Sequence, residues 1–199
     1  MIYKIIHTIF PPKILSLPRR MYKHFYSGWI KYEFHSCGHG CLFGRFNILY
    51  GGKYIDIADH VTMGKGLILE VYDKYGTQRF TPRIKIGNYV NIGDDSHVSC
   101  INGITIKDNV RMGRKVFITD NAHGSSDREL MDMRPNIRPL MSKGPIIIEE
   151  NVWIGEMVCV MSGVTIGKGA IVGANAVVTK DIPAYSVAAG IPAKVVKQL

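Results

Sequence analysis

The stretch Ile148–Pro183, IEENVW IGEMVC VMSGVT IGKGAI VGANAV VTKDIP, divides into six hexapeptides without remainder. Its first positions read Ile148, Ile154, Val160, Ile166, Val172 and Val178. Its fifth positions read Val152, Val158, Val164, Ala170, Ala176 and Ile182. An apolar period of six is neither the three-to-four of a helix face nor the two of a half-buried strand. It fits a coil of triangular cross-section in which each hexapeptide forms one side and the first-position aliphatic points inward. Coils stacked at about 4.8 Å then pair as parallel strands. β-Branched residues suit a narrow, buried, strand-like site. Gly155, Gly167 and Gly173 at second positions are expected to supply tight corners.

Working outward, Ile86, Ile92 and Val98 hold the same register, and after a two-residue slip Ile106, Met112 and Ile118 resume it. A fainter block runs through Ile57, Met63 and Leu69. The fold expected is therefore all-β, a parallel β-helix (hexapeptide-repeat solenoid) over residues 37–199, with a loop insertion at 124–147 and a C-terminal cap at 184–199.

Residues 1–36 form a different segment, a basic N-terminal arm. Met21, Tyr22, Phe25, Tyr26, Trp29 and Ile30 recur at helical spacing, which predicts a helix over 18–34. Lys and Arg are interspersed, and the first acidic residue of the chain is Glu33. Such a helix can cover the open end of a solenoid, or lie on an anionic lipid surface. No run approaches the length of apolar sequence that spans a membrane, and Lys4, Pro11, Pro12 and Lys13 interrupt a signal-peptide pattern. The chain is read as cytoplasmic, with association at the inner face of the membrane through the arm left open. Four scattered cysteines do not make a disulfide framework. HSCGHGC (35–41) lacks the spacing of a structural zinc site; its alternate residues are expected on one side of a short strand, and no metal is expected. His60 and His97 are expected at solvent-facing turns. The net charge of +9 suits anionic small molecules or lipid, and no nucleic-acid partner is expected.

The period breaks at FITDNAHG, Phe117–Gly124, where His123 precedes a segment too long for an idle connection. A neutral imidazole there suits removal of a proton from an alcohol at cellular pH.

IGEMVCVMSGVTIGKGAIVGANAVVTKDIPAYSVAAGIPAKVVK resembles the C-terminal half of the hexapeptide-repeat O-acetyltransferases, the galactoside, maltose, nodulation and polysaccharide types. The resemblance covers roughly residues 55–199, and VVTKDIP followed by AAGIPAK is its strongest part. It implies a left-handed coil, a homotrimer with active sites between subunits, acetyl-CoA as co-substrate and a sugar or glycan hydroxyl as acceptor, with surface polysaccharide as one setting. It implies His123 as the catalytic base. It also implies Ala174, Thr179 and Lys180 along the CoA path, and Lys194 and Lys197 at the CoA phosphates. Asn102, Asp120 and Asn121 are the candidate acceptor-binding residues. Glu156 stands where the family often has a small residue beside the CoA thioester arm, which argues against a direct contact there. Gly93 and Ile101 replace family polar residues near cofactor and acceptor, which points away from a simple galactoside. Serine or amino-sugar N-acyl transfer on the same fold, and a non-catalytic scaffold, are the alternatives.

Overall fold

A computed structural model describes residues 12–125 and 127–198. Three parallel sheets form the three sides of a left-handed β-helix. The first sheet stacks Ser36–Cys37, Ile55–Ile57, Arg83–Ile86, Gly103–Ile106, Ile146–Ile148 and Thr165–Ile166. The second runs from Leu42–Phe43 to Ile171–Val172 and ends on Ser186–Ala189 and the antiparallel edge strand Lys194–Gln198. The third runs from Ile48–Tyr50 to Val177–Val178. Register follows the sequence period: Ile148 pairs with Ile166, Ile154 with Val172 and Val160 with Val178, each eighteen residues apart.

The first- and fifth-position side chains fill one continuous core. Ile148, Ile154, Val160, Ile166 and Val178 are fully buried, and so are Val158, Ala170 and Ala176. Each buried aliphatic of this size contributes about 1.5–3 kcal/mol relative to exposure, so the stack stabilises itself coil by coil.

The corners differ from expectation in one respect. Gly155 and Gly167 do not carry the left-handed backbone. That conformation falls two residues further on, at the fourth hexad position: His60, Tyr89, Asn109 and Asn151 after the first sheet, and Asp95, Lys115, Met157 and Asn175 after the second. The second-position glycines instead answer to crowding. A Cβ on Gly155 would stand 2.6 Å from the backbone nitrogen of Ala174 in the next coil, and one on Gly167 2.4 Å from that of Ala184.

At the third corner, between the third and first sheets, four insertions interrupt this regularity, the first of them two residues between Leu49 and Ile57 at the 3-10 turn Gly52–Tyr54. Between Leu69 and Ile86 eleven extra residues carry a small hairpin, Lys74–Tyr75 with Gln78–Arg79. One coil on, the two-residue slip lies at Ile101–Asn102. One coil further, the long loop after His123 holds a short helix, Arg128–Met131, and a 3-10 turn, Pro135–Ile137. Because coils stack directly, the last three of these interruptions, far apart in sequence, become neighbours along one edge.

Helix α1, Pro12–Ile30, followed by a 3-10 turn at Lys31–Glu33, closes one end of the solenoid. It begins before the expected start at residue 18. Tyr26, Ser27 and Ile30 face inward. The Ser27 hydroxyl accepts a hydrogen bond from the Phe43 N–H at 2.7 Å, and the Tyr26 hydroxyl accepts one from the Phe46 N–H at 3.2 Å. These bonds satisfy first-coil amides that have no further coil to pair with. Phe34, Phe43 and Phe46 pack edge-on and tilted beneath the helix. Among the described residues, no helix is long and apolar enough to cross a membrane.

Candidate active site

The two-residue strand Ala122–His123 leaves the solenoid and pairs antiparallel with Leu140–Met141, the returning end of the long loop. Leu140 is buried and anchors that return, so the loop folds back along its own histidine strand. Gln78 of the hairpin locks the arrangement. Its side-chain carbonyl accepts from the Leu140 N–H at 2.8 Å, and its amide donates to the Leu140 carbonyl at 3.1 Å.

His123 is exposed, and its ring meets Tyr75 edge-on with centroids 5.5 Å apart. The Tyr75 hydroxyl donates to the Asn136 carbonyl at 2.8 Å and lies 3.4 Å from Nδ1 of His123. With its one hydrogen spent on Asn136, the phenol oxygen is an acceptor toward the imidazole. That favours the tautomer with hydrogen on Nδ1 and leaves the Nε2 lone pair free. Two hollows share the hairpin as a wall. One, of about 480 Å³, is lined by Arg79, Phe80, Ile101, Asn102, Met141 and Ser142. The other, of about 540 Å³, lies between Tyr75–Gln78 and Asn136–Pro139.

Of the residues expected to serve the acceptor, only Asn102 is exposed. Its amide donates to the Ser142 hydroxyl at 3.3 Å, beside the loop's return. Asp120 turns inward, contrary to expectation. Its fully buried carboxylate accepts from the backbone N–H groups of Ile101, Asn102 and Gly103 at 2.8–2.9 Å. The reason lies in the slip, because two extra residues at a corner bring amides that regular coil-to-coil pairing does not take up. Asn121 also spends its amide locally, on the Ser99 hydroxyl at 3.1 Å and the Asp120 carboxylate at 3.2 Å.

The residues expected along CoA do not converge within one chain. Thr179 and Lys180 follow Val178 at the third corner, two coils beyond the Ile118 that precedes His123. Ala174 sits at the corner after the second sheet. Lys194 pairs with Ala189 near that same corner, and Lys197 lies further along the edge strand, opposite Val187. All of these except the backbone-paired strand atoms are open to solvent, so small and cationic groups line two separate corners.

The Cys100 thiol, buried against Asp120 at this edge, is not a ready nucleophile. Burial, then the Asp120 carboxylate, push the Cys100 thiol well up, and burial with the neighbouring Cys41 pushes Cys37 up to about 12. His97, expected at a turn, lies in strand His97–Cys100 with Nε2 3.0 Å from Glu70. His60 does occupy an exposed corner, stacked on Tyr89. Ser36–Cys37 is the only strand in the 35–41 segment, which turns at Gly40, and His35 binds Asp56 at 2.8 Å. The four His and Cys side chains therefore do not share one strand face.

The hexapeptide solenoid, with an imidazole and a cleft on its interrupted edge, is of the left-handed β-helix class, and the relatives it resembles are acyltransferases. Residues 145–180 match the family described as bacterial transferase hexapeptide (six repeats). An Escherichia coli (strain K12) protein named for O-acetyl transfer in lipopolysaccharide biosynthesis is 37% identical over 147 residues, 72% of this chain and 71% of that one. Galactoside O-acetyltransferase of the same organism is 36% identical over 141 residues, 69% of this chain and 64% of that one. An N-acyltransferase from Bacillus cereus, solved with dTDP and 3-hydroxybutyryl-CoA, superposes with a TM-score of 0.70 at 19% identity, covering 87% of each chain. The chain belongs to the hexapeptide-repeat acetyltransferases.

Proposed function

We propose that this enzyme transfers acetyl from acetyl-CoA to a hydroxyl of a sugar or glycan, with His123 as general base. The observation that carries the reading is the free Nε2 of an exposed imidazole whose Nδ1 faces an acceptor oxygen on Tyr75. In the step, Nε2 takes the acceptor's hydroxyl proton while the oxygen attacks the thioester carbonyl. The tetrahedral centre then collapses, the C–S bond breaks, and the imidazolium returns its proton to the departing thiolate. No acyl-enzyme is formed, consistent with the raised thiols of Cys37 and Cys100. A base of this kind is worth about 10²–10⁴ in rate.

Two relatives aligned over more than two thirds of the chain carry O-acetyl transfer in their names, which supports a hydroxyl over an amine. The residues present fit CoA. Ala174 leaves room beside the second corner, and Lys180, Lys194 and Lys197 are exposed cations suited to phosphates. Their division between two corners supports a homotrimer in which one chain's His123 edge faces a neighbour's Ala174 edge. Asn102 and the hollow it lines would receive the acceptor. The setting proposed is the cytoplasm at the inner face of a membrane, on a glycan destined for a surface polysaccharide.

The test is thiol release from acetyl-CoA across a panel of sugar, amino-sugar and serine acceptors. His123→Ala should lower kcat by at least about 10² while leaving the circular dichroism spectrum unchanged. Acetyl transfer that survives this change would sink the assignment of the base. Turnover confined to amino acceptors would replace O- by N-transfer, and no turnover with any acceptor would favour a scaffold.

A further inference from the structure

Helix α1 divides its circumference into three sectors at ~100° per residue. Tyr26, Ser27 and Ile30 face the solenoid. Arg20 and His24 form an exposed polar stripe beside them, which Lys31 of the following 3-10 turn continues. The third sector, Met21, Tyr22, Phe25 and Trp29, is apolar and points outward. Phe25 is 74% exposed, Met21 72% and Trp29 62%, and Tyr32 continues the stripe at 80%. Capping the coil needs only the inward sector, so the cap leaves these aromatics unexplained. A groove of about 560 Å³ extends the patch from Tyr22, Phe25 and Trp29 onto Arg45, Phe46 and Leu49. Contiguous exposed apolar surface of this kind marks an interaction site.

We infer that the outward face of α1 docks in the plane of an anionic lipid surface, with Met21, Phe25 and Trp29 entering the interface and Arg20 and Lys31 meeting the headgroups. Charge complementarity favours this occupant. Six Lys and Arg residues and no acidic one precede Glu33, and polybasic segments are drawn to anionic leaflets. Aromatic residues on one face with cations beside them describe a helix lying in the interface. Duplex nucleic acid would be met through its phosphates and gives Met21 and Phe25 no partner, and single strands, which stack on aromatics, are an outcome of the test. Because α1 closes the end of the solenoid, no coil among the described residues stands between its outer side and a flat surface. The inference gives the membrane setting above a physical basis. Its test uses neither acetyl donor nor acceptor, so the two readings fail separately.

Trp29 and Trp153 are the two tryptophans, so the full chain carrying Trp153→Phe reports on Trp29 alone. Mixed with vesicles of phosphatidylglycerol and phosphatidylcholine in equal parts, its emission should move to shorter wavelength, and phosphatidylcholine alone should bind at least tenfold more weakly. Phe25→Ser should weaken partitioning about tenfold or more, and Arg20→Gln or Lys31→Gln about fivefold each. These exposed sites should leave the urea midpoint unchanged, which separates lost docking from lost folding. Absence of a shift with the anionic vesicles overturns the inference. So does Phe25→Ser lowering the sedimentation mass in the absence of lipid, since a second copy would then cover the face. A shift produced by single-stranded DNA and abolished by Arg20→Gln, with none on vesicles, also overturns it, in favour of nucleic acid.

Discussion

The Tyr75 hydroxyl stands 3.4 Å from Nδ1 of His123 although forty-eight residues separate them, and it does so because their two insertions share one corner of the solenoid. Tyr75 touches the imidazole at the nitrogen opposite the proposed reacting one, so it is a positioning residue. Tyr75→Phe keeps the edge-on ring contact and removes the oxygen. The histidine then loses its tautomer bias, and the Asn136 carbonyl loses its donor. We expect kcat to fall about tenfold, equivalent to about 1.4 kcal/mol, with the KM for acetyl-CoA unchanged. Steady-state kinetics with the best acceptor check this, and an unchanged kcat would remove Tyr75 from the reaction.

Asp120 and its three amides give a second prediction, one that separates structure from substrate binding. Asp120→Ala leaves the N–H groups of Ile101, Asn102 and Gly103, the first buried and the others partly so, without an acceptor. Each orphaned buried group costs about 1–3 kcal/mol, and relaxation of the corner recovers part of the sum. A loss of at least about 2 kcal/mol in urea unfolding is expected. A rise in acceptor KM with stability intact would instead restore Asp120 as an acceptor ligand.

These two residues also show where the sequence stops being legible. A period of six places Ile148 to Val178 in the core because every hexad repeats the same burial requirement, and the structure keeps that register. His123 is visible because a titratable residue stands at the point where the period ends. Tyr75 and Gln78 are not, since their insertion carries no period and their partners lie forty-eight and sixty-two residues away. The first coil lies inside the expected solenoid, but its period is faint for another reason. Cys37, Phe43 and Leu49 keep the spacing of six and pair with Ile57, Met63 and Leu69. A thiol and an aromatic ring at inward positions disguise the aliphatic signature there. Asp120 reads as a polar turn residue beside a histidine, and only the stacked slip at Ile101–Asn102 shows that its carboxylate is needed inside.

The glycines supply the last prediction, and it runs against their usual explanation. Met157 has φ of 57° at the fourth position of its hexad, while Gly155 does not lie in the left-handed region. Gly155→Ala would place a methyl group 2.6 Å from the nitrogen and 2.9 Å from the Cα of Ala174. Both are backbone atoms of the next coil, so no rotamer change relieves the clash, and overpacking of this kind costs about 1–3 kcal/mol. Met157→Gly removes a left-handed side chain costing about 1–2 kcal/mol and adds an unfolded-state entropy cost of about 0.5–1 kcal/mol. Its net effect should be neutral to slightly stabilising. Urea midpoints of the two variants should therefore move in different directions, or one should fall while the other stays. Gly155→Ala should also raise the KM for acetyl-CoA, because the atoms it displaces belong to Ala174. If Gly155→Ala were tolerated and Met157→Gly were the damaging change, stacking distance would not be what selects glycine at the second hexad position.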